Sequence, residues 1–147
     1  MSSEITIEEV KSASGARSMW AHIATVGADQ EPDVVPVHPC WDGETLWIMV
    51  GLTSTKTRNV AENPRVALHW QVTESGDGVE VWGTATLHSD VETKKRLWNG
   101  VFDYDLNAFA PGGPENSPDT GFMRIEPYRA IYLPQYGMGG RTEWRKA

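Results

Sequence analysis

A turn rich in hydroxyl groups and cations carries the clearest chemical signal in this sequence. The apolar run Leu46 to Val50 ends at Gly51, and four hydroxyl side chains and two cations follow it closely. The hydroxyls belong to Thr53, Ser54, Thr55 and Thr57, and the cations are Lys56 and Arg58. Because a helix start presents N–H groups with partial positive charge and a lysine adds a point charge, the pattern suits an anionic phosphate. An ordinary solvated turn with surface cations is the alternative, since phosphate loops without glycine follow no strict pattern.

The sequence contains no comparable pattern for a catalytic nucleophile, a transition-metal site or a calcium loop. The sequence has no G-x-S-x-G nucleophile elbow, and its histidines form neither an H-x-x-x-H pair nor a cluster with carboxylates. These histidines are His22, His38, His69 and His88, and each is expected on a strand in a structural or surface role. Asp103 to Asn107 resembles the start of a calcium loop, but Ala108 replaces its glycine and Pro114 its glutamate. We therefore expect no metal site and assign no catalytic residue.

Composition indicates a single domain. The 147 residues carry a net charge of −7, which argues against nonspecific nucleic-acid binding, and no apolar run is long enough to span a membrane. The one cysteine, Cys40, excludes an intrachain disulfide and is interpreted as a small buried strand residue. Met1 to Ile5 contains no apolar signal-peptide region. These features predict one cytoplasmic domain over residues 1–147, with no membrane or nucleic-acid partner.

The elements that flank the turn must position it, and hydrophobic alternation predicts a mostly antiparallel sheet. Six strands are predicted at Trp20–Val26, Val34–Cys40, Thr45–Val50, Arg65–Thr73, Val79–His88 and Gly121–Leu133. Helices are predicted from about Ile7 to Ser14 after a capping box at Thr6, from about Thr57 to Glu62, and from a capping box at Ser89 to about Phe102. The tail from Gln135 to Ala147 is Gly-rich and then basic. Because hairpin sheets leave open edges, we expect closure into a β-barrel with flanking helices.

The residues around the turn resemble the flavin-phosphate segment of the pyridoxamine 5'-phosphate oxidase-like split-barrel family. The similarity lies in Ser54-Thr55-Lys56, Arg58-Asn59-Val60 and Asn63-Pro64-Arg65-Val66. It extends to Pro32–Val37, Trp41-Asp42-Gly43, Leu46–Val50 and Val79–Ala85. Ala110–Pro114 and Phe122–Pro127 are similar to the general stress protein branch, and the whole match covers roughly Trp20 to Leu133.

The resemblance implies a six-stranded antiparallel split β-barrel that binds FMN at a homodimer interface. Lys56 would hold the phosphate, with Ser54 and Thr55 as donors and Arg58 as a further cation. The ring would lie against Met49 and Val50 and meet the strand edge formed by Val34, Val35, Pro36 and Val37. Walls from the second subunit would come from Trp82, Trp98, Tyr104 and Trp144, although core or dimer packing is the commoner role of such aromatics.

Two departures from the family pattern bear on the substrate. Val34 and Thr55 stand where family members that oxidise pyridoxamine phosphate carry arginines, and the C-terminal tail lacks the Arg-x-His type segment that holds the substrate phosphate. We therefore do not predict vitamin B6 oxidation, and the lost cations also weaken the prediction of FMN binding.

The resulting expectation is an FMN-binding oxidoreductase of the general stress protein type, acting on a small-molecule substrate. One alternative is a reductase of the same fold that uses the deazaflavin F420, whose longer acidic tail would favour extra cations such as Arg58 and Arg65. A second is a non-catalytic dimer that binds flavin, haem or another flat ligand for storage or sensing. A third is a split barrel that has lost its cofactor and survives as an interaction dimer.

Overall fold

Nine strands and three α-helices make up the described part of the chain, residues 3–15 and 20–147, in this computed structural model. The strands are β1 (Ser3–Glu4), β2 (Ala21–Val26), β3 (Pro32–Val37), β4 (Cys40–Asp42), β5 (Thr45–Gly51), β6 (Arg65–Gln71), β7 (Gly78–His88), β8 (Thr120–Leu133) and β9 (Thr142–Arg145). The helices are α1 (Ile7–Gly15), α2 (Thr55–Glu62) and α3 (Val91–Trp98), with short 3-10 turns at Leu106–Ala108 and Gln135–Gly137. No signal peptide was predicted from Met1 to Ile5, and the first two residues of this segment, Met1 and Ser2, lie outside the described ranges.

The six longer strands confirm the predicted antiparallel β-barrel class, and β1, β4 and β9 are short additions to it. Hydrogen bonds connect β3, β2, β6, β7 and β8 in that order, all antiparallel. The long strand β8 pairs with β7 along one edge, and its other edge is divided between β5, over Thr120–Ile125, and β9, over Arg129–Tyr132. This division of one edge between two partners gives the split barrel.

The barrel closes where the chain passes from β3 to β4. These strands lie at opposite ends of the hydrogen-bonded path, because β4 pairs with β5, which pairs with β8. Only His38 and Pro39 join them. Val37 and Cys40 are therefore three Cα–Cα steps apart, at most about 11 Å, so the two ends of the sheet must come together there.

Side chains alternate between two apolar clusters. The larger cluster fills the barrel and includes Ile23, Leu68, Val81 and Ile125, which are fully or almost fully buried. Along β5, Leu46, Ile48 and Val50 belong to this cluster. Trp47 points to the opposite face, where it packs with residues of α3, the following loop and β8, namely Leu97, Leu106 and Phe122. The second cluster therefore fixes the loop after α3 against the barrel.

The predicted strand Val34–Cys40 is wrong as a single element, because it ends at Val37 and resumes at Cys40. Pro39 has no amide hydrogen to donate to a neighbouring strand. At this point the chain also passes from β3, at one end of the hydrogen-bonded path, to β4, at the other. The tail, predicted only as Gly-rich and basic, forms β9 beside β8 and β1.

The boundaries of helices α2 and α3 also differ from the prediction. The helix α2 begins at Thr55 rather than Thr57, because the Ser54 side chain accepts a hydrogen bond from the Thr57 amide and caps it. Asp90, not Ser89, caps α3, since its Oδ2 accepts from the Thr93 amide at 2.9 Å. The helix stops at Trp98 rather than Phe102, and Gly100 follows with a left-handed φ of 97°. In contrast, the capping box of α1 is confirmed by reciprocal bonds between Thr6 and Glu9.

No helix within the described ranges combines the length and apolar character needed to cross a membrane.

Candidate functional site

A cleft of about 420 Å³ opens where β5 ends and β8 begins. This volume lies within the range of small-molecule and cofactor pockets. The lining residues are Trp20, His38, Met49, Val50, Gly51, Tyr104, Phe109 and Thr120. The walls thus combine apolar and aromatic side chains, which suit a flat ring, with polar groups.

The end of β5 forms one wall of the cleft. Met49 and Val50, both predicted to flank a ring, line it, and Gly51 pairs with Thr120 of β8 at its edge. The next residue is tied to the same region, because the Leu52 amide donates to the Asp119 carbonyl at 2.9 Å. The backbone therefore leads directly from the cleft wall into the hydroxyl-rich turn.

Hydroxyl groups in the turn are already engaged in holding it together. The Thr57 hydroxyl donates to the Gly51 carbonyl at 2.8 Å, and Ser54 Oγ lies 2.9 Å from Thr57 Oγ1. The Ser54 side chain also caps α2. Arg58 donates to the Thr53 carbonyl at 2.7 Å and lies 3.4 Å from Thr55 Oγ1. These bonds fix the shape of the turn at the end of β5.

Lys56 differs from its neighbours. Its side chain is half-buried in the first turn of α2, and among the described residues it has no ion pair or hydrogen bond. No acidic residue lies in that first turn. An unpaired ammonium beside a helix N-terminus is the arrangement that an anionic phosphate needs. The residues present therefore fit a phosphate group better through Lys56 than through the hydroxyls.

The predicted strand-edge residues all lie on β3. This strand ends the hydrogen-bonded path, so its outer edge is unpaired among the described strands. Val34 is 63% exposed and Pro36 is exposed, whereas Val35 packs against the core and Val37 is buried. The edge leads to the cleft through His38, the residue that follows the strand.

The other predicted aromatics are divided between the cleft and distant positions. Tyr104 lines the cleft. Trp98 packs beside Phe122 in the second cluster. Trp82 lies on β7 under the Arg129 guanidinium, 4.3 Å from the ring centroid, and Trp144 packs from β9 against the barrel core. Within the single chain, neither Trp82 nor Trp144 lines the cleft, so their predicted roles require a second subunit.

A cluster of His38, Cys40 and Asp103 adjoins the cleft, and the sequence analysis did not bring these residues together. His38 Nε2 lies 2.8 Å from Asp103 Oδ1, and the Cys40 thiol donates to the same oxygen at 3.3 Å. The Tyr104 ring stacks on His38 with centroids 4.2 Å apart. The spacing of His38 and Cys40 was visible in the sequence, but Asp103 is 63 residues beyond Cys40.

Burial controls the proton-binding groups of this cluster. Burial raises the pKa of the Cys40 thiol to about 12, and the nearby Asp103 carboxylate acts in the same direction through its charge. Burial likewise raises the pKa of Tyr104 to about 12. Both groups are therefore neutral near pH 7 in the protein described here, and Cys40 is not an activated nucleophile.

Comparison with known proteins identifies the family of the chain. A family model described as pyridoxamine 5'-phosphate oxidase matches residues 8–133, most of the chain. No curated protein matches the sequence.

Solved structures extend the similarity over the whole fold. General Stress Protein 26 from Bacillus anthracis is 20% identical, with 95% of this chain and 98% of that chain covered and a TM-score of 0.71. A pyridoxamine 5'-phosphate oxidase-related, FMN binding protein from Nostoc punctiforme is 16% identical, with 96% and 92% covered and a TM-score of 0.65. A protein described as F420 Reductase is 23% identical, with 81% and 94% covered and a TM-score of 0.60. At these identities the likeness establishes a common fold.

Proposed function

Because the chain belongs to the pyridoxamine 5'-phosphate oxidase family, we propose that it is a flavin-binding oxidoreductase with FMN as its cofactor. It works as a homodimer on a small-molecule substrate. The FMN binding protein from Nostoc punctiforme, which shares the fold, supports this choice of cofactor.

One observation carries the proposal. The apolar cleft wall at Met49, Val50 and Gly51 runs directly into a turn that holds the unpaired ammonium of Lys56 at the start of α2. A flavin mononucleotide needs these two features at neighbouring positions, an apolar slot for its ring and a cation for its phosphate.

The roles of the chain's own residues follow from this arrangement. Lys56 binds the phosphate, and Ser54, Thr57 and Arg58 keep the turn in shape. Met49 and the backbone of Val50 hold one face of the ring, while the β3 edge offers backbone groups to its polar rim. Tyr104 and Phe109 exclude water from the cleft. Bound flavin supplies the redox chemistry by taking up and passing on an electron pair, so a side-chain acid or base is not needed for that step.

The proposed substrate is not pyridoxamine phosphate. Val34 is an exposed valine on β3 and Thr55 is an exposed threonine at the start of α2, where the B6-oxidising members have arginines. A phosphorylated substrate would find no cation at either position. We therefore assign the chain to the general stress protein type.

A visible absorption spectrum tests the cofactor directly. The purified protein is mixed with FMN, freed of unbound cofactor and compared with the variants Lys56→Ala and Lys95→Ala. A flavin band should remain in the wild type and in Lys95→Ala, a change on the exposed face of α3. The Lys56→Ala variant should bind FMN about 10- to 100-fold more weakly, as for a lost charge-assisted hydrogen bond. Wild-type affinity in Lys56→Ala would contradict the assigned phosphate site.

F420 is the second candidate cofactor, and the F420 Reductase with the same fold favours it. The cations for its longer acidic tail would be Arg58 and Arg65. Because Arg58 donates to the Thr53 carbonyl and so helps to hold the turn, Arg58→Ala should weaken the binding of both cofactors. Arg65 is exposed and lies over the Tyr128 ring at 5.7 Å, so Arg65→Ala is the sharper test. A wild type that retains F420 but not FMN, and that loses F420 on Arg65→Ala, would assign the protein to F420.

Catalysis is distinguished from mere binding by reduction of the loaded protein. Addition of NADH or NADPH without oxygen should bleach the flavin band if the protein is an oxidoreductase. A band that stays unchanged with both nucleotides, while dithionite bleaches it, would favour the flavin- or haem-binding sensor instead.

A further inference from the structure

We propose that His38, Cys40 and Asp103 form a binding site for a divalent transition-metal ion of the zinc class, with its open coordination position towards the cleft. The site is built from three side chains and does not depend on the flavin proposal.

The three possible ligand atoms already lie together. One nitrogen, one sulfur and one carboxylate oxygen are within 4.8 Å of one another, with Nε2 to Oδ1 at 2.8 Å and Sγ to Oδ1 at 3.3 Å. Tetrahedral zinc with bonds of about 2.0 to 2.3 Å would separate such ligands by about 3.4 to 3.6 Å. The Asp103 oxygen would have to move outward by about half an ångström from the histidine nitrogen, and its side chain, at 66% exposed, has room to do so.

The histidine nitrogen gives an independent indication. His38 Nε2 is buried and makes no hydrogen bond of acceptable geometry, although the Asp103 oxygen is close to it. A buried polar atom without a hydrogen bond is costly and calls for an explanation. A metal ion between the nitrogen and the oxygen would satisfy both.

The fold holds two of these ligands in place. Cys40 opens β4 and pairs with Trp47 of β5, and His38 precedes it at the barrel closure. Tyr104 stacks on the imidazole and restricts its orientation. Asp103 comes from the loop after α3, so a bound ion would clamp that loop to the barrel beside the cleft.

The donor set selects the kind of ion. Imidazole and thiolate favour Zn²⁺ and its neighbours in the first transition row, whereas Mg²⁺ and Ca²⁺ require oxygen ligands. On binding, the Cys40 S–H bond breaks, the sulfur–metal bond forms and the proton passes to solvent. Three protein ligands leave the fourth tetrahedral position for water or a substrate atom, as in catalytic zinc sites.

Cobalt(II) is the probe, because its thiolate complexes absorb in the near ultraviolet and its four-coordinate complexes absorb strongly in the visible. The full-length protein, freed of any affinity tag and treated with a chelator, is titrated with Co²⁺ under reducing conditions. We expect a saturable thiolate-to-cobalt band at one ion per chain, which Zn²⁺ displaces. The variants Cys40→Ser, His38→Gln and Asp103→Asn should each lower the affinity, and Cys40→Ser should also abolish the charge-transfer band.

The matched control is His22→Gln, a change at an exposed histidine on β2 that should leave the titration unchanged. Each ligand variant should weaken binding by at least about 100-fold, since even supporting partners of metal ligands cost about 10- to 100-fold. Asp103 is exposed, so Asp103→Asn remains informative if a core variant fails to fold. No charge-transfer band in the wild type, or an unchanged Co²⁺ affinity in folded Asp103→Asn, would overturn the proposal. Lys56→Ala should bind Co²⁺ normally, which separates this site from the flavin site.

Discussion

Ser54 and Lys56 occupy neighbouring positions in the turn but do different work. Ser54 caps α2 by accepting from the Thr57 amide, and its hydroxyl meets the hydroxyl of Thr57. Lys56 has no such internal partner within the described chain. The serine therefore stabilises the turn, whereas the lysine is available to a ligand.

This difference predicts separate effects of substitution. Ser54→Ala should lower the free energy of unfolding by about 1 kcal/mol, the usual cost of a lost N-cap. FMN affinity should fall less in Ser54→Ala than in Lys56→Ala, because Ser54→Ala keeps the positive charge of Lys56. Urea unfolding and FMN titration of the two variants measure these effects.

The matched control for the cap is Ser89→Ala, since Asp90 rather than Ser89 caps α3. Its unfolding free energy should stay near that of the wild type. If Ser54→Ala were as stable as the wild type, the capping role of Ser54 would be wrong.

Cys40 predicts a pH dependence of stability in the metal-free protein. Burial raises the pKa of its thiol from 9.0 to about 12, so the folded chain binds this proton more tightly than the unfolded chain. The resulting stabilisation is fully present below pH 9 and is lost as the pH rises towards about 12. The difference in unfolding free energy between wild type and Cys40→Ala should therefore shrink at alkaline pH.

Urea unfolding with a chelator present, at about pH 8 and about pH 10.5, measures that difference on either side of the ordinary thiol pKa. A comparison of two chains removes the contribution of groups such as Tyr132, which both contain and whose pKa burial also raises. If the difference in unfolding free energy between wild type and Cys40→Ala were the same at both pH values, Cys40 would ionise normally in the fold.

At the scale of elements, β9 is held to β8 by charge as well as by backbone pairing. The Arg129 Nε donates to Glu143 Oε1, and Arg145 lies 3.2 Å from the same oxygen. The hydrogen bond from Arg129 and the neighbouring positive charges hold the pKa of Glu143 below its usual value. Arg129 also covers Trp82, so the same side chain connects β9, β8 and β7.

Glu143→Gln should therefore destabilise β9 in a way that depends on pH. A lowered pKa gives a contribution that is present above the unfolded value of 4.5 and is lost as the pH falls through the folded value. The difference in unfolding free energy between wild type and variant should be largest near neutral pH and should close in acid. Hydrogen exchange of the β9 amides at neutral pH should be faster in the variant.

Glu31→Gln is a suitable control because it changes an exposed glutamate in the turn before β3. It should alter neither the exchange of β9 nor the acid dependence. If wild type and Glu143→Gln differed equally in unfolding free energy at neutral and acid pH, the charge of Glu143 would not be what holds β9 to β8.

At the scale of the whole molecule, the mouth of the cleft exposes apolar side chains. Trp20 is 62%, Val34 is 63% and Phe109 is 72% exposed, and all three lie on the β3 edge or beside the cleft. We propose that a second copy covers them and that Trp82 or Trp144 of that copy completes the flavin site.

This arrangement predicts that dimerisation and cofactor retention change together. Phe109→Glu should raise the dissociation constant of the dimer by at least about tenfold, the effect of about 1.4 kcal/mol, because a charge would be buried at the interface. Sedimentation velocity over a range of concentrations measures the association, and the flavin band retained at each concentration measures binding. FMN retention in the wild type should also fall on dilution.

Val91→Glu, on the exposed start of α3, introduces the same charge away from the cleft lining and should leave the dimer intact. A wild type that sediments as a monomer while retaining FMN would contradict the shared site.

Much of the fold was predictable because its signals are local. The burial of β2 alternates residue by residue, as its apolar pattern predicts, and Thr6 and Glu9 cap α1 through bonds that span only three residues. The placement of Met49 and Val50 on a cleft wall followed from the family resemblance. The cap of α3 was misplaced by one residue because Ser89 and Asp90 are both good capping residues.

The sequence by itself determined most of the six longer strands, the barrel class and the turn that carries Lys56, because alternation, capping and turn chemistry act between residues close in the chain. Only the tertiary structure decided that Asp103 meets His38 and Cys40, and that the tail forms β9. It also decided that Ser54 is occupied as a cap while Lys56 is not. These features depend on closure of the barrel through His38 and Pro39 and on packing between distant segments, which no local pattern encodes.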